Sequence, residues 1–234
     1  MKTISSITPV LAALALAVLP VRADIYSDPG GIGDFTGGTS ALDMSSVTVN
    51  NDSANLYFTI NLGGDPTAVS WANYYVGISE NLFGGVGGDL NASGGWGKDI
   101  QMSTGGMDFF VGAYPYYSGG YNLLTWGGSA WTSAYYTTAS EDSTSVTIPV
   151  PLSALGLSAG NTIQFDVWTS DSGSDTVLDA LSDATARSWN SNPFDTGGNA
   201  LSYTVTVPEP GACALLGLGG LLAIVRRRAS AREF

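Results

Sequence analysis

The stretch Asp171-Ser172-Gly173-Ser174-Asp175, with Asp179 and Asp183 downstream, sets carboxylates at close spacing around a glycine. Carboxylate oxygens in such a pattern are the hard ligands that Ca²⁺ prefers, so Asp171, Asp175 and Asp179 are candidate ligands of a calcium cofactor. The stretch has no EF-hand loop closed by a glutamate, and a solvated acidic loop is the competing reading. Asp43 and Asp28 join the set if the N-terminal segment packs beside it.

Aromatic side chains are the second chemical resource. Planar rings stack on the apolar faces of sugar rings while neighbouring Asn, Asp and Gln satisfy the hydroxyls. Aromatics also fill the cores of β proteins, and for most tryptophans here that is the stronger reading. Tyr114, Tyr116 and Tyr117, around Pro115, and the pair Trp126 and Trp131 are the candidates for an exposed glycan-binding surface.

Glu80, Glu141 and the aspartates are raw material for the carboxylate pair of a glycoside hydrolase, but sequence cannot bring two of them face to face. Histidine is absent, which removes the commonest general base and the usual ligand of zinc and iron. No serine nucleophile elbow or phosphate-binding loop appears, and Gly84-Gly85-Val86-Gly87-Gly88 reads as loop. The chain is therefore read as a non-enzyme. Between Asp24 and Val207 stand eighteen acidic residues against Lys98 and Arg187 alone, a balance that excludes nucleic acid as a partner. The lone cysteine, Cys213, leaves that stretch without a disulfide.

These groups must be held by strands. Leu56, Phe58, Ile60 and Leu62 alternate with Tyr57, Thr59 and Asn61, which predicts a strand with one buried face. Val47-Thr48-Val49 precedes it across the turn formers Asn50-Asn51-Asp52-Ser53, predicting a hairpin. Further strands are predicted over 74–78, 108–111, 122–126, 145–149, 163–168 and 201–205. Trp126 and Trp131 flank Gly127-Gly128-Ser129-Ala130, a tight-turn sequence. Pro151 to Leu155, closed by Gly156, is a helical turn between two strands. The expected fold is all-β, an antiparallel two-sheet β-sandwich of jelly-roll-like character over residues 24–207.

Both ends read as addresses. Lys2, the apolar run Ile7 to Leu19 and the cleavage context Val21-Arg22-Ala23 predict a cleavable secretory signal peptide over 1–23. At the other end Val207, Pro208, Glu209 and Pro210 precede an uncharged apolar run that stops at Arg226, Arg227 and Arg228. That run is short for a bilayer span, and a marginal transmembrane helix held by its arginines is the expectation. Segment 208–234 resembles the PEP-CTERM sorting signal, also labelled the ice-binding protein C-terminal domain. The resemblance implies passage through the secretion translocase, transient anchoring in the inner membrane and processing by an exosortase near Pro-Glu-Pro.

The body carries a weaker resemblance. Asp28-Pro29-Gly30-Gly31, then Leu42 to Val47, the strand Asn55 to Leu62, and Val150 to Gly160 feeding Ile163 to Asp171 are similar, in that order, to family 9 carbohydrate-binding modules and DOMON domains. This implies a β-sandwich and transfers no sugar or haem ligands. Together these features predict an exported cell-envelope or extracellular-matrix protein, without catalysis, associated with extracellular polysaccharide. A purely structural or adhesive surface protein is the alternative, and a glycan-active hydrolase a third reading.

Overall fold

The computed structural model describes residues 23–37, 39–80, 88, 98, 100–102, 105–114, 120–173, 176–188 and 194–206, excepting the side chains of 134–137. The residues expected to form a sorting signal, Val207 to Pro210 and Arg226 to Arg228, and nearly all of the expected signal peptide lie outside these. Among the described residues no helix is long and apolar enough to cross a membrane.

In chain order the strands are β1 (Ala23–Ser27), β2 (Met44–Asn51), β3 (Asn55–Leu62), β4 (Ala72–Ser79), β5 (Ile100–Gln101), β6 (Phe109–Tyr114) and β7 (Gly120–Trp126). They continue as β8 (Trp131–Thr138), β9 (Ser140–Glu141), β10 (Ser145–Pro151), β11 (Thr162–Asp171), β12 (Asp179–Ala180), β13 (Phe194–Asp195) and β14 (Leu201–Thr204). One antiparallel sheet has the order β1-β2-β3-β10-β9 and the other β12-β11-β4-β6-β7-β8, with β14 also paired to β11. The protein is thus all-β, and the two sheets close on one core in the manner of a sandwich.

The period-two pattern in the sequence explains the inner faces. On β3, Leu56, Phe58, Ile60 and Leu62 are buried while the residues between them are half-exposed. They meet Val47 and Val49 of β2 and Val146, Ile148 and Val150 of β10, and from the larger sheet Val76, Ile78, Val111, Phe165 and Val167. The β2–β3 turn is fixed by Asp52, whose Oδ1 accepts the amides of Ala54 and Asn55 at 2.7 Å each. Buried tyrosines add polar ties: Tyr74 donates its hydroxyl to the Ala41 carbonyl at 2.8 Å, Tyr203 to Asn51 Oδ1 at 2.8 Å, and Tyr121 to the Pro149 carbonyl.

The larger sheet is covered on its outer face as well. Every residue of β4 is buried, so the alternation seen on β3 is absent there. Tyr75, Phe110 and Trp168 form an outer aromatic row, with ring centroids 5.5 Å apart for Tyr75–Phe110 and 6.4 Å for Phe110–Trp168. Ile100, Met102, Met107, Val177 and Phe194 close over this row as a second apolar cluster. Gly77 makes room for it, since a Cβ there would lie 2.6 Å from the Trp168 ring. The covering layer is tied by the parallel pairing of Ile100 with Phe194 and Gln101 with Asp195.

Both short connections follow the sequence. Trp126 pairs with Trp131, and Gly128 takes φ 85° in the turn between them. After Pro151 the chain makes a single helical turn in which the Leu157 amide returns to the Leu152 carbonyl at 2.9 Å around left-handed Gly156, φ 68°. This turn carries the chain from β10 in one sheet to β11 in the other.

Candidate functional site

Four aspartates converge at one edge of the sandwich. Asp28 directly follows β1, and its amide donates to the Ser45 carbonyl of β2 at 3.1 Å. The chain then folds back through Pro29-Gly30-Gly31-Ile32-Gly33 to Asp34. A Cβ on Gly30 would stand 2.0 Å from an Asp34 carboxylate oxygen, so only glycine lets the loop close over that group. Asp43 follows the 3₁₀ turn Ser40–Leu42, and its Oδ2 accepts the Gly33 amide at 2.8 Å. Asp179 opens β12 at the edge of the larger sheet, where its Oδ2 accepts the Met44 amide at 2.5 Å and its Oδ1 the Ala180 amide at 2.7 Å.

Oxygens of Asp28, Asp34 and Asp179 all lie within 4.8 Å of one another. The three residues are 6%, 8% and 1% exposed, and Asp43 beside them 4%. Neither oxygen of Asp28, neither of Asp34, nor Oδ1 of Asp43 has a hydrogen-bond partner in the protein. The nearby Gly30 and Gly31 amides favour the charged form of Asp28 without reaching hydrogen-bond geometry.

The electrostatics match this geometry. Burial, then the charge of Asp34, raises Asp28 to about 7. Burial, then Asp43, raises Asp34 to about 6, and burial also raises Asp43. Asp179 is pushed up to about 8 by burial, with Asp34 and Asp28 adding to it against the Met44 amide. A set of carboxylates packed this closely must share protons or hold a cation. The body's two basic residues are engaged elsewhere: Arg187 pairs with Asp183 at 3.2 Å and lies 4.5 Å over the Phe194 ring, and Lys98 donates to the Asp171 carbonyl at 3.0 Å. Arg187 still braces the loop through its backbone, donating to the Asp34 carbonyl at 2.7 Å and accepting from the Thr36 amide at 2.8 Å.

Neither a protein-family model nor a curated protein matches this chain.

Of the aspartates expected to bind calcium, Asp179 is in the cluster. Asp171, at the end of β11, is outside it and accepts the Gly173 amide at 3.1 Å, and Asp175 lies outside the described residues. The N-terminal segment does pack beside Asp179 and brings Asp28 and Asp43 with it. Asp34 was not expected. Its signal was the Asp-Pro-Gly-Gly-Ile-Gly-Asp spacing, two carboxylates joined by a glycine-rich loop able to fold onto itself.

The aromatic candidates divide. Trp126 and Trp131 stand side by side at the hairpin with centroids 5.5 Å apart and planes at 52°, and both are half-buried. Trp131 also leans edge-on against Phe110 at 6.4 Å, which makes Trp126 the freer of the two faces. Tyr114 is half-buried and packs edge-on against Tyr75 at 6.3 Å. Tyr116 and Tyr117 lie outside the described residues.

Of the carboxylates that could serve hydrolysis, Glu141 is exposed on edge strand β9. Glu80 directly follows β4 beside Asp108, with its amide donating to Asp108 Oδ2 at 2.6 Å. Burial, followed by the Asp108 charge, raises Glu80 to about 7.

Proposed function

We propose that this chain is an exported, non-catalytic β-sandwich, sorted through its C-terminal segment to the cell envelope or matrix, where it rests against extracellular polysaccharide. The address is supported by the apolar N-terminal run behind Lys2 and by the Pro-Glu-Pro, apolar run and arginine order at the other end. Its partners in transit are then the secretion translocase, the inner membrane and an exosortase. The excess of acidic residues favours solubility outside the cell and disfavours polyanionic partners.

The observation that carries the polysaccharide half is the Trp126–Trp131 pair. Two adjacent, half-buried indoles on a two-strand hairpin, their planes inclined at 52°, offer ring faces for sugars to stack on without any loop having to order first. The body's resemblance to carbohydrate-binding modules agrees with this use.

The test is affinity electrophoresis of the full chain in gels containing matrix polysaccharides from the producing organism. Retardation that disappears in Trp126→Ala supports the reading. Migration unaffected by every polysaccharide overturns the glycan half and favours a structural or adhesive surface protein.

A further inference from the structure

We propose that Asp28, Asp34, Asp43 and Asp179 form a Ca²⁺ site that latches the loop between β1 and β2 onto β12, joining the edges of the two sheets through one cation.

The donor set selects the class of metal. All four residues offer carboxylate oxygens, histidine is absent, and the sole thiol, Cys213, belongs to the tail, so a hard cation fits and zinc or copper does not. Within that class four protein carboxylates favour Ca²⁺, which takes about six to eight oxygens, over Mg²⁺, which usually keeps several waters and only one or two carboxylates. Ca²⁺ binds oxygens at about 2.3–2.6 Å, so ligands on opposite sides stand about 5 Å apart, whereas an Mg²⁺ octahedron spans only about 4 Å. Oxygens of Asp28, Asp34 and Asp179 within 4.8 Å of one another are compatible with either span, so the number of protein carboxylates and not the spacing favours Ca²⁺.

Several oxygens of the site also lack other partners. The unpartnered Asp43 Oδ1 belongs to a residue outside the close trio, 4% exposed, whose carboxyl interacts with Asp34. With the four oxygens of Asp28 and Asp34 it makes five buried acceptors that no protein donor meets at hydrogen-bond geometry, although the Gly30 and Gly31 amides near Asp28 and the Phe35 amide near Asp34 and Asp43 favour their charged forms. Asp179 is already oriented by two backbone amides, one to each oxygen, and each oxygen keeps a lone pair for a metal. The backbone around the site is also prepared: Arg187 holds the Asp34 peptide, the Gly33 amide holds Asp43, and Gly30 keeps the space beside Asp34 open.

Bound there, the ion would tie the end of β1, the glycine loop, the start of β2 and the edge strand β12. In a chain without disulfides in its body, this is a cross-link that ionic composition controls.

The experiment uses the full chain in mild detergent, stripped with EDTA and then titrated with CaCl₂ or MgCl₂. Bound metal is counted by equilibrium dialysis, and unfolding is followed by intrinsic tryptophan fluorescence. The expected result is one tightly held Ca²⁺ per chain and a melting temperature raised by about 5 °C or more over the stripped protein, with Mg²⁺ giving a smaller rise at equal concentration. Asp28→Asn/Asp34→Asn should lose Ca²⁺ affinity by about tenfold or more, yet melt in EDTA at or above the stripped wild type, because two repelling charges are gone. That opposite movement separates site loss from misfolding. No uptake at millimolar Ca²⁺, or uptake unchanged in the double variant as for diffuse binding to an acidic surface, overturns the proposal.

Discussion

Asp179 of β12 accepts the amide of Met44, the first residue of β2, at 2.5 Å, so a carboxylate on the edge of the larger sheet holds the start of a strand in the smaller one. The Thr169 hydroxyl donates to the adjacent Leu42 carbonyl at 2.6 Å and makes the same crossing. The corner bearing the carboxylates is therefore built by contacts between sheets, and its perturbation has readable consequences.

Asp179→Ala would leave the Met44 and Ala180 amides without their acceptor in a buried place. Each such loss costs about 1–3 kcal/mol, and relief of repulsion among the remaining carboxylates offsets part of it. A net destabilisation of about 2 kcal/mol is expected in EDTA by urea unfolding. Where Ca²⁺ stabilises the wild type, the gap should widen in its presence.

Gly30→Ala tests the site with little effect on the core. The added methyl would collide with the Asp34 carboxylate, which must swing away from Asp28 and Asp179. The melting temperature in EDTA should change little, while the increment on adding Ca²⁺ should shrink by more than half. An unchanged increment would show that Asp34 has no part in binding.

Glu80 gives a pH dependence with a defined sign. Its ordinary value of 4.5 rises to about 7 on folding, through burial and then the Asp108 charge. The folded state is therefore favoured while the group is protonated, and this advantage is lost progressively as pH rises from about 4.5 through about 7. Glu80→Gln should stabilise the protein at pH 8 by about 1 kcal/mol, allowing for solvent screening of a half-exposed group, and have almost no effect at pH 5. Urea titrations of both proteins at the two pH values check it.

The two hairpin tryptophans should separate in stability. Trp131 packs on both Trp126 and Phe110, so Trp131→Ala is expected to cost about 2 kcal/mol. Trp126→Ala should cost about half that, which makes it the cleaner probe of polysaccharide binding. Equal losses would mean that Trp126 is a packing residue like its neighbour.

The parts of the fold legible in sequence are those governed by local chemistry. Leu56 to Leu62 alternates because one face of β3 is buried and the other is half-exposed, and Gly128 and Gly156 mark turns by the left-handed backbone they permit. Strand β4 carries no such alternation because a second apolar layer from Ile100, Met107 and Phe194 covers its outer face. That layer comes from residues distant in sequence, and nothing local announces it. The carboxylate site was hidden for the same reason. In sequence Asp179 stands near Asp171 and Asp175, whereas its spatial neighbours Asp28 and Asp34 arrive through β1 and the glycine loop. Only the packing of that loop against β12 decides which aspartates meet.

Export and processing at both ends are tested by the intact mass of the chain recovered from the surface and culture fluid of cells that make it. The expected product begins near Asp24 and ends near Pro208 to Pro210, clearly lighter than the 24.1 kDa of the whole sequence. Recovery of the uncut 24.1 kDa chain from the cytosol, with none outside the cell, would contradict both.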